Sequence, residues 1–412
     1  MEKRTFETER RFFMSQLSKE LIRQMVREEK FSSTREIMDA IKGMFQDVLQ
    51  EAMETELDDQ LGYDRYEKSE SPNRRNGHSK KTVKSEFGEI EVAVPRDRNG
   101  EYEPKLIPKH SRSIEGMEEK ILSLYAAGLS TRDIHAQVKK LYGVEISAEQ
   151  VSRITDRILP VMQEWQCRPL EMVYPFVFMD AIHYKVREDK QIVSKAAYVV
   201  LGINNDGYKE VLGIWIGQAE SSKFWLSVLN ELRNRGIRDV KVFCVDGLNG
   251  FKEAIAATYP NARVQRCIIH QIRSSTKYVS YTDIKVFMAD LKQIYTAASE
   301  EEALSAFDTA SEKWRQKYPS AIKSWEQNWD CLATFFMFSP EIRKIIYTTN
   351  AIEALHRQFR KVTKTKAVFP TEQSLLKMLY LATDKIQQKW TLRYQGWDQV
   401  LSQLAILFAE SA

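Results

Sequence analysis

The chain has 412 residues, 43% hydrophobic and 29% charged, with 61 Lys and Arg against 57 Asp and Glu for a net charge of +4. That length allows roughly two to three domains with a real core and excludes a disulfide-stapled miniprotein; the composition excludes wholesale disorder and a membrane bundle. The positive excess is too small to mark a nucleic-acid binder, so any such surface must come from local clustering.

The four cysteines, Cys167, Cys244, Cys267 and Cys331, are too scattered for a disulfide framework and predict a reducing cytoplasm. The stretch MEKRTFETERRFFMSQ carries charges where a signal peptide would be apolar, and no run of about 18 apolar residues occurs. The expectation is a chain that neither spans nor crosses a membrane.

From Thr34 to about Leu61, Ile37, Ile41, Phe45, Val48, Leu49, Ala52 and Met53 recur at steps of three and four, predicting an amphipathic helix capped by Ser33 or Thr34. YEKSESPNRRNGHSKKTVKS then gathers Arg74, Arg75, Lys80, Lys81 and Lys84 around an Asn-Gly turn, and reads either as a solvated linker or as a contact to DNA phosphates. EFGEIEVAVPRDRNGEYEP alternates, as a short strand or hairpin would. Three helices follow between Ser113 and Met162: Ile114 to Ala127 ending at Gly128, Ser130 or Thr131 to about Leu141, and, after Gly143, one opened by Ser147 with Gln150 at capping-box spacing. Short helix, turn, short helix suits a helix-turn-helix whose second helix exposes Glu149, Gln150, Arg153 and Arg157, and suits equally a three-helix unit that only packs.

At Met172 the composition shifts. VYPFVFMDAIHYKV, KAAYVVLGINN, KEVLGIWIG and DVKVFCVDG are runs of Val, Ile, Phe and Tyr, the first three spaced as a meander. Helical stretches at Ser222 to Arg235 and GFKEAIAATYP separate the later runs from one another and from ARVQRCIIHQI, so the sheet should be mixed. From about Ser274 to Ile346 the sequence is helical, with Trp314, Trp325 and Trp329 read as core or as platforms for a distorted base. A last helical region runs from Asn350, broken near Phe369-Pro370.

Asp180 and Asp246 each end an apolar run, which brings carboxylates to one sheet edge, although Asp246-Gly247 could be a plain turn and Asp180 could be bound by loop amides. Glu353 shares a helix face with Arg357, Arg360, Lys361 and Lys364, opposite Ile352, Leu355, Phe359 and Val362; it also suits a capping box with Asn350 or a surface pair with Arg357. Gathered within about 4 to 6 Å, three carboxylates would repel by a few kcal/mol per pair at an effective dielectric near 20 and would need cations. All-oxygen ligation suits Mg²⁺ or Mn²⁺, and a pair of such ions serves phosphodiester displacement without a catalytic His.

The stretches RRNGHSKKTVKSEFGEIEVAVPRDRNGEYEP, GLSTRDIHAQVKKLYGVEISAEQVSRITD, FVFMDAIHYKVRE, VFCVDGLNGFKEAI, RCIIHQIRSS and IRKIIYTTNAIEALHRQFRKVTKTKAVFP together closely resemble bacterial insertion-sequence transposases of the Mutator type, in the DDE superfamily. The resemblance implies a multidomain α/β chain: a ribonuclease-H-like mixed sheet interrupted by an all-helical insertion, behind a mostly helical DNA-binding region with a helix-turn-helix. On that frame residues 1–110 are a basic N-terminal region, 111–170 the helix-turn-helix, 171–273 and 347–412 the two parts of the catalytic domain, and 274–346 the insertion. The catalytic and metal-binding set would be Asp180, Asp246 and Glu353, holding two Mg²⁺ or Mn²⁺ ions. DNA contacts are expected from Arg74, Arg75, Lys80, Lys81, Gln150, Arg153, Arg157, His270, Arg357, Arg360, Lys361 and Lys364. Cys267 and His270 form the family's C-x-x-H pair, incomplete as a zinc site, with His270 read as structural or DNA-contacting. The implied activity is binding of terminal inverted repeats, then strand cleavage and transfer into target double-stranded DNA, by a homodimer or larger assembly at the bacterial nucleoid in the cytoplasm. Two rivals fit the same residues: a DNA-binding regulator with a dead catalytic body, and a nuclease that hydrolyses without joining.

Overall fold

The computed structural model describes residues 27, 31–67, 71–85, 88–107, 117–217, 222–247, 250–347 and 350–409. The charged N-terminal stretch, the Ile114 start of the first short helix, and positions 248–249 and 348–349 within the quoted motifs lie outside these residues. The chain forms two compact units, 1–122 with 132–151, and 123–131 with 152–412. No helix among the described residues is long and apolar enough to cross a membrane.

In the first unit, helix α1 (Thr34–Leu61) starts at Ser33, whose hydroxyl accepts from the Glu36 amide, and stops at Gly62, held at φ 75°. It packs its C-terminal half on a hairpin of β1 (Arg75–Ser85) and β2 (Gly88–Asp97), burying Leu49 and Met53 with Val83, Ile90, Val92 and Val94. Gln50 fastens the helix to the hairpin by both amide atoms, donating to the Ala93 carbonyl at 2.7 Å and accepting from the Ala93 amide at 2.9 Å. From Arg75 to Ser85 the basic stretch is thus a strand rather than a linker. Its sequence hid this because the strand pairs through its backbone and buries few side chains, Val83 among them. The Asn-Gly signal at Asn76-Gly77 produces a bulge between Arg75 and His78, with Gly77 at φ 66°, and not the expected turn.

Four short helices follow, α2 (Met117–Ala126), α3 (Thr131–Tyr142), α4 (Ala148–Asp156) and α5 (Leu159–Cys167). Gly128 after α2 has φ 100°, and the Ser147/Gln150 box forms with reciprocal bonds of 3.0 and 3.1 Å. Glu149, Gln150 and Arg153 are exposed on α4, as read from the sequence, whereas Arg157, also exposed, lies just past the end of that helix.

The second unit is built on a five-stranded mixed sheet in the order β5-β4-β3-β6-β7. Strands β3 (Val173–Glu188), β4 (Gln191–Ile203) and β5 (Lys209–Gly217) are the expected antiparallel meander; β6 (Asp239–Val245) and β7 (Arg263–Arg266) run parallel to β3. Helices α6 (Ser222–Asn234) and α7 (Phe251–Thr258) connect the parallel strands and bury Trp225, Leu229, Leu232 and Ile255 on one sheet face with Tyr198, Val200 and Phe243. The edge strand β5 is not left open: Gln387 Oε1 accepts from the Val211 amide at 2.6 Å and Gln166 Oε1 from the Ile214 amide at 3.1 Å.

After β7 comes α8 (Ile268–Thr276), then α9 (Ile284–Tyr295), α10 (Glu300–Trp314), α11 (Pro319–Leu332), a 3₁₀ turn (Ala333–Met337) and α12 (Pro340–Ile346). No strand occurs among the described residues of this segment. Trp314 and Trp325 are buried, with indole N–H groups on Asp290 and Ser275; Trp329 is half-buried against Phe307 and bonds Glu300. Core packing therefore accounts for Trp314 and Trp325. Helices α13 (Asn350–Thr363), α14 (Glu372–Gln387) and α15 (Trp397–Ala409) complete the unit, with Thr371 capping α14 just after Pro370.

Candidate active site

The register of β3 against β6 pairs Met179 with Val245, so Asp180 and Asp246 follow at adjacent positions on neighbouring strands, whose backbones run about 4.8 Å apart. Asp246 lies just past the end of β6, as expected. Asp180 does not end its strand: β3 continues to Glu188 because β4 goes on pairing with it, and only the β6 side of the sheet stops here. Asp180 is 9% exposed; its Oδ1 accepts from the Ala181 amide at 2.8 Å, and its Oδ2 lies 3.3 Å from His356 Nδ1. Asp246 Oδ1 accepts from the Gly247 amide at 2.6 Å.

Helix α13 brings the third carboxylate. Its apolar side buries Ile352, Leu355 and Phe359, and His356 goes in with them at 2% exposure, reaching Asp180. Glu353 stands one turn earlier; its Oε1 accepts from Arg273 Nη1 at 3.0 Å and lies 3.5 Å from His270 Nε2. Among the described residues its ion-pair partners are therefore on α8, not the Arg357 that helical spacing offered.

His270 stands between two of the acids, since its Nδ1 is 3.5 Å from Asp246 Oδ1. That separation is at the outer limit of a hydrogen bond and Nδ1 is not aligned to make one, so the contact is chiefly electrostatic. A hydrogen bond with Cys267 pushes the imidazole up to about 9; burial opposes this, and the charges of Asp246 and Asp180 reinforce it. His270 is then an imidazolium at neutral pH, and with Arg273 it compensates carboxylates that would otherwise repel one another. Asp180 and Asp246 thus stand side by side where β6 ends, the His270 ring spans Asp246 and Glu353, and His356, one turn after Glu353 on α13, reaches Asp180.

The donor set is chemically suited to a hard divalent cation, being three carboxylates with oxygen ligands only. Among the described residues no three His, Cys, Asp or Glu side chains already stand at the spacing of a metal cluster, and the His270 ring fills the gap between Asp246 and Glu353. Arg266, at the end of β7, lies beside the same loop: its Nη1 donates to Asn328 Oδ1 at 2.6 Å, and a Cβ on Gly247 would fall 1.9 Å from its Nη2. Burial holds its guanidinium below the usual arginine range, with the Asp246 charge opposing.

Of the expected DNA contacts, Arg357, Arg360, Lys361 and Lys364 lie exposed on α13 and the residue after it. Arg74 and Lys80 are exposed on the hairpin unit, whereas Arg75 is engaged by Glu54 and Asp58 of α1. The Gln150 side-chain oxygen is engaged in its own helix cap. His356, Arg273 and Arg266 were not among the residues singled out from sequence. His356 carried one signal, a titratable side chain beside the apolar stripe of α13.

The chain matches the description "Transposase, Mutator family" over residues 16–392. It is 43% identical over 359 residues to a transposase for insertion sequence element ISRM3 of Rhizobium meliloti (strain 1021), covering 87% of this chain and 90% of that one. A probable transposase for an insertion sequence element of Corynebacterium diphtheriae is 37% identical over 338 residues, with 77% and 98% covered. The solved Drosophila P element transposase strand transfer complex aligns with 71% of this chain and 86% of that one at 11% identity and a TM-score of 0.29, too low to carry an argument. The chain belongs to the Mutator family of transposases. Within that family its relatives are the transposases of bacterial insertion sequences, and it is an insertion-sequence transposase.

Proposed function

We propose that Asp180, Asp246 and Glu353 are the catalytic carboxylates of a DDE transposase with a ribonuclease-H-like catalytic domain, which binds the terminal inverted repeats of its element and cleaves and joins DNA there. The observation that carries this reading is the convergence of three acids, remote in the chain, through His270 and His356 at the edge where β6 ends. The strand order, three antiparallel strands followed by two parallel ones with the third acid on a later helix, supports the fold assignment.

Two Mg²⁺ or Mn²⁺ ions bound by these carboxylates would activate the attacking oxygen and stabilise the leaving one at the scissile phosphate. The chain's own residues divide the remaining work. Asp180 is aimed by His356 and the Ala181 amide, and Asp246 by the Gly247 amide. Arg273, 60% exposed beside Glu353, is placed to meet a phosphate oxygen. The first displacement uses water and frees a 3′ hydroxyl; the second uses that hydroxyl on target DNA, so one set of carboxylates serves both. Helices α3 and α4 act as the helix-turn-helix, with Arg153 and Arg157 reading the repeat and Arg74, Lys80 and Lys81 adding phosphate contacts. Two ends must be held at once, which calls for a dimer or larger assembly acting at the nucleoid.

The test mixes purified protein, Mg²⁺ and a labelled duplex carrying the element's own end with wild type, Asp180→Asn, Asp246→Asn and Glu353→Gln. All three variants should bind the duplex and yield neither nicks nor joined products. Cleavage by any of them at the wild-type rate removes that residue from the set; hydrolysis by wild type without joining, given target DNA, makes the protein a nuclease.

A further inference from the structure

Beyond Asp180, β3 continues to Glu188 paired throughout with β4, whereas β6 has already stopped at Val245. The hairpin therefore overhangs the carboxylate edge, and α13 runs beside it from Glu353. Between them lies an open groove of about 860 Å³. Six cationic side chains line it, Lys185 on the hairpin wall, Arg357, Arg360, Lys361 and Lys364 on and just after α13, and Lys366 in the turn that follows; none of the lining residues is acidic. A concentration of one sign of charge in a cleft, in a chain whose net charge is only +4, is a feature of place and not of composition.

The far end of the groove is built rather than loose. The chain returns after α13 to form a parallel bridge between Phe369 and Val186: the Phe369 amide donates to the Lys185 carbonyl at 2.8 Å and the Arg187 amide to the Phe369 carbonyl at 2.9 Å. Lys366 is placed by two rings, with its Nζ 4.4 Å from the Tyr125 centroid and 5.6 Å from that of Phe369. Lys185 and Lys366 thus belong to one backbone-fixed corner, while Glu353 marks the other end, roughly 15 Å away along the helix.

We infer that this groove is a lane for the phosphate backbone of the DNA strand leading from the carboxylates, and that Lys185 and Lys366 are phosphate contacts at its far end. The direction of the lane rests on the carboxylate reading above; its affinity for phosphate does not. A lane of that length accommodates about two to three successive phosphates, and contacts to phosphate position a strand without reading its sequence.

The experiment measures binding of a short mixed-sequence duplex over a range of salt in EDTA, so that no cutting is needed, for wild type, Lys185→Gln, Lys366→Gln and the double variant. Each single change should make the slope of log K against log salt shallower by about 1, and the double change by about 2. Wild-type protein is also acetylated with and without the duplex, and Lys185 and Lys366 should be shielded by DNA. Unchanged slopes in folded variants, or equal acetylation of both lysines with and without DNA, overturns the lane; if a variant fails to fold, the wild-type acetylation decides alone. Shallower slopes beside normal cutting by the Asp180, Asp246 or Glu353 variants would keep the lane and sink the carboxylate reading.

Discussion

His356 offers the sharpest perturbation of the candidate site. Its Nδ1 lies 3.3 Å from Asp180 Oδ2, both groups are nearly excluded from water, and its Nε2 is buried with no hydrogen-bond partner among the described residues. His356→Leu roughly keeps the volume and removes the ring nitrogen that faces the Asp180 carboxylate at 3.3 Å, a contact with a nearly buried charge whose loss costs on the order of 1 to 3 kcal/mol. On the proposed reading that cost appears as a carboxylate no longer aimed, and loss of such a supporting contact weakens divalent-metal affinity by about 10- to 100-fold. His356→Asn places an amide N–H close to the Nδ1 position and should recover most of the loss; His356→Gln, whose amide reaches toward Nε2, should not. Mn²⁺ binding followed by calorimetry, with strand cleavage across a range of Mn²⁺, separates aiming from general damage, because a weakened site recovers at saturating metal and a distorted fold does not. A Leu variant that binds Mn²⁺ like wild type, or Asn and Leu variants impaired to the same degree, would refute the reasoning.

Three further outcomes follow from particular contacts. Gly247→Ala drives its Cβ to 1.9 Å from Arg266 Nη2, so the loop after Asp246 or the guanidinium must move; strand cleavage should drop with repeat binding retained, and unfolding should show a cost of about 1 to 3 kcal/mol. Gly128→Ala meets both a φ of 100° and the Val362 carbonyl at 2.2 Å, backbone that cannot swing away, so α13 must shift; we expect the larger loss of thermal stability of the two, and an unchanged melting temperature would contradict it. Asp97 is pushed up by burial, but bonds from Asn73 Nδ2 at 2.7 Å and the Glu101 and Tyr102 amides at 2.9 and 3.2 Å outweigh that and hold its carboxyl below the usual range. Its contribution is therefore present above the unfolded-state value near 3.9 and lost as pH falls through the lower folded value, so Asp97→Asn should speed exchange of the Tyr102 amide at neutral pH and make little difference at acid pH. An effect of Asp97→Asn that is the same at both pH values would count against this.

The parts legible in the sequence were those whose signal is local. Alternating or continuous Val, Ile and Phe gave β2 to β6, because a strand that buries a face writes that face into its own residues. The β1 strand was illegible for the converse reason, since it pairs by backbone and buries few side chains, Val83 among them. Asp180 and Asp246 stood out as charges terminating apolar runs, and Glu353 through its basic ridge. Their partners did not, because nothing near His356 in the chain names Asp180, and the attraction of Glu353 to Arg273 competes invisibly with the Arg357 that lies one turn away. Helical spacing offers every possible neighbour, and only tertiary placement chooses among them.

The C-x-x-H pair shows how such a choice is made by backbone. The Cys267 amide donates to the Val245 carbonyl at 2.9 Å, one residue before Asp246, so the start of α8 is tied to the end of β6. Cys267 is buried as the first residue of the turn, and three residues on, the helix delivers His270 to Asp246 and then Arg273 to Glu353. Two cations thus reach the acids by a single strand-to-helix connection. At an effective dielectric near 20, each uncompensated carboxylate pair at close range would cost a few kcal/mol, enough to consume a sizeable part of a domain's stability. The chain folds with its own imidazolium and guanidinium in that role, and on the proposed reading the loaded site exchanges one source of positive charge for another instead of drawing bare carboxylates together.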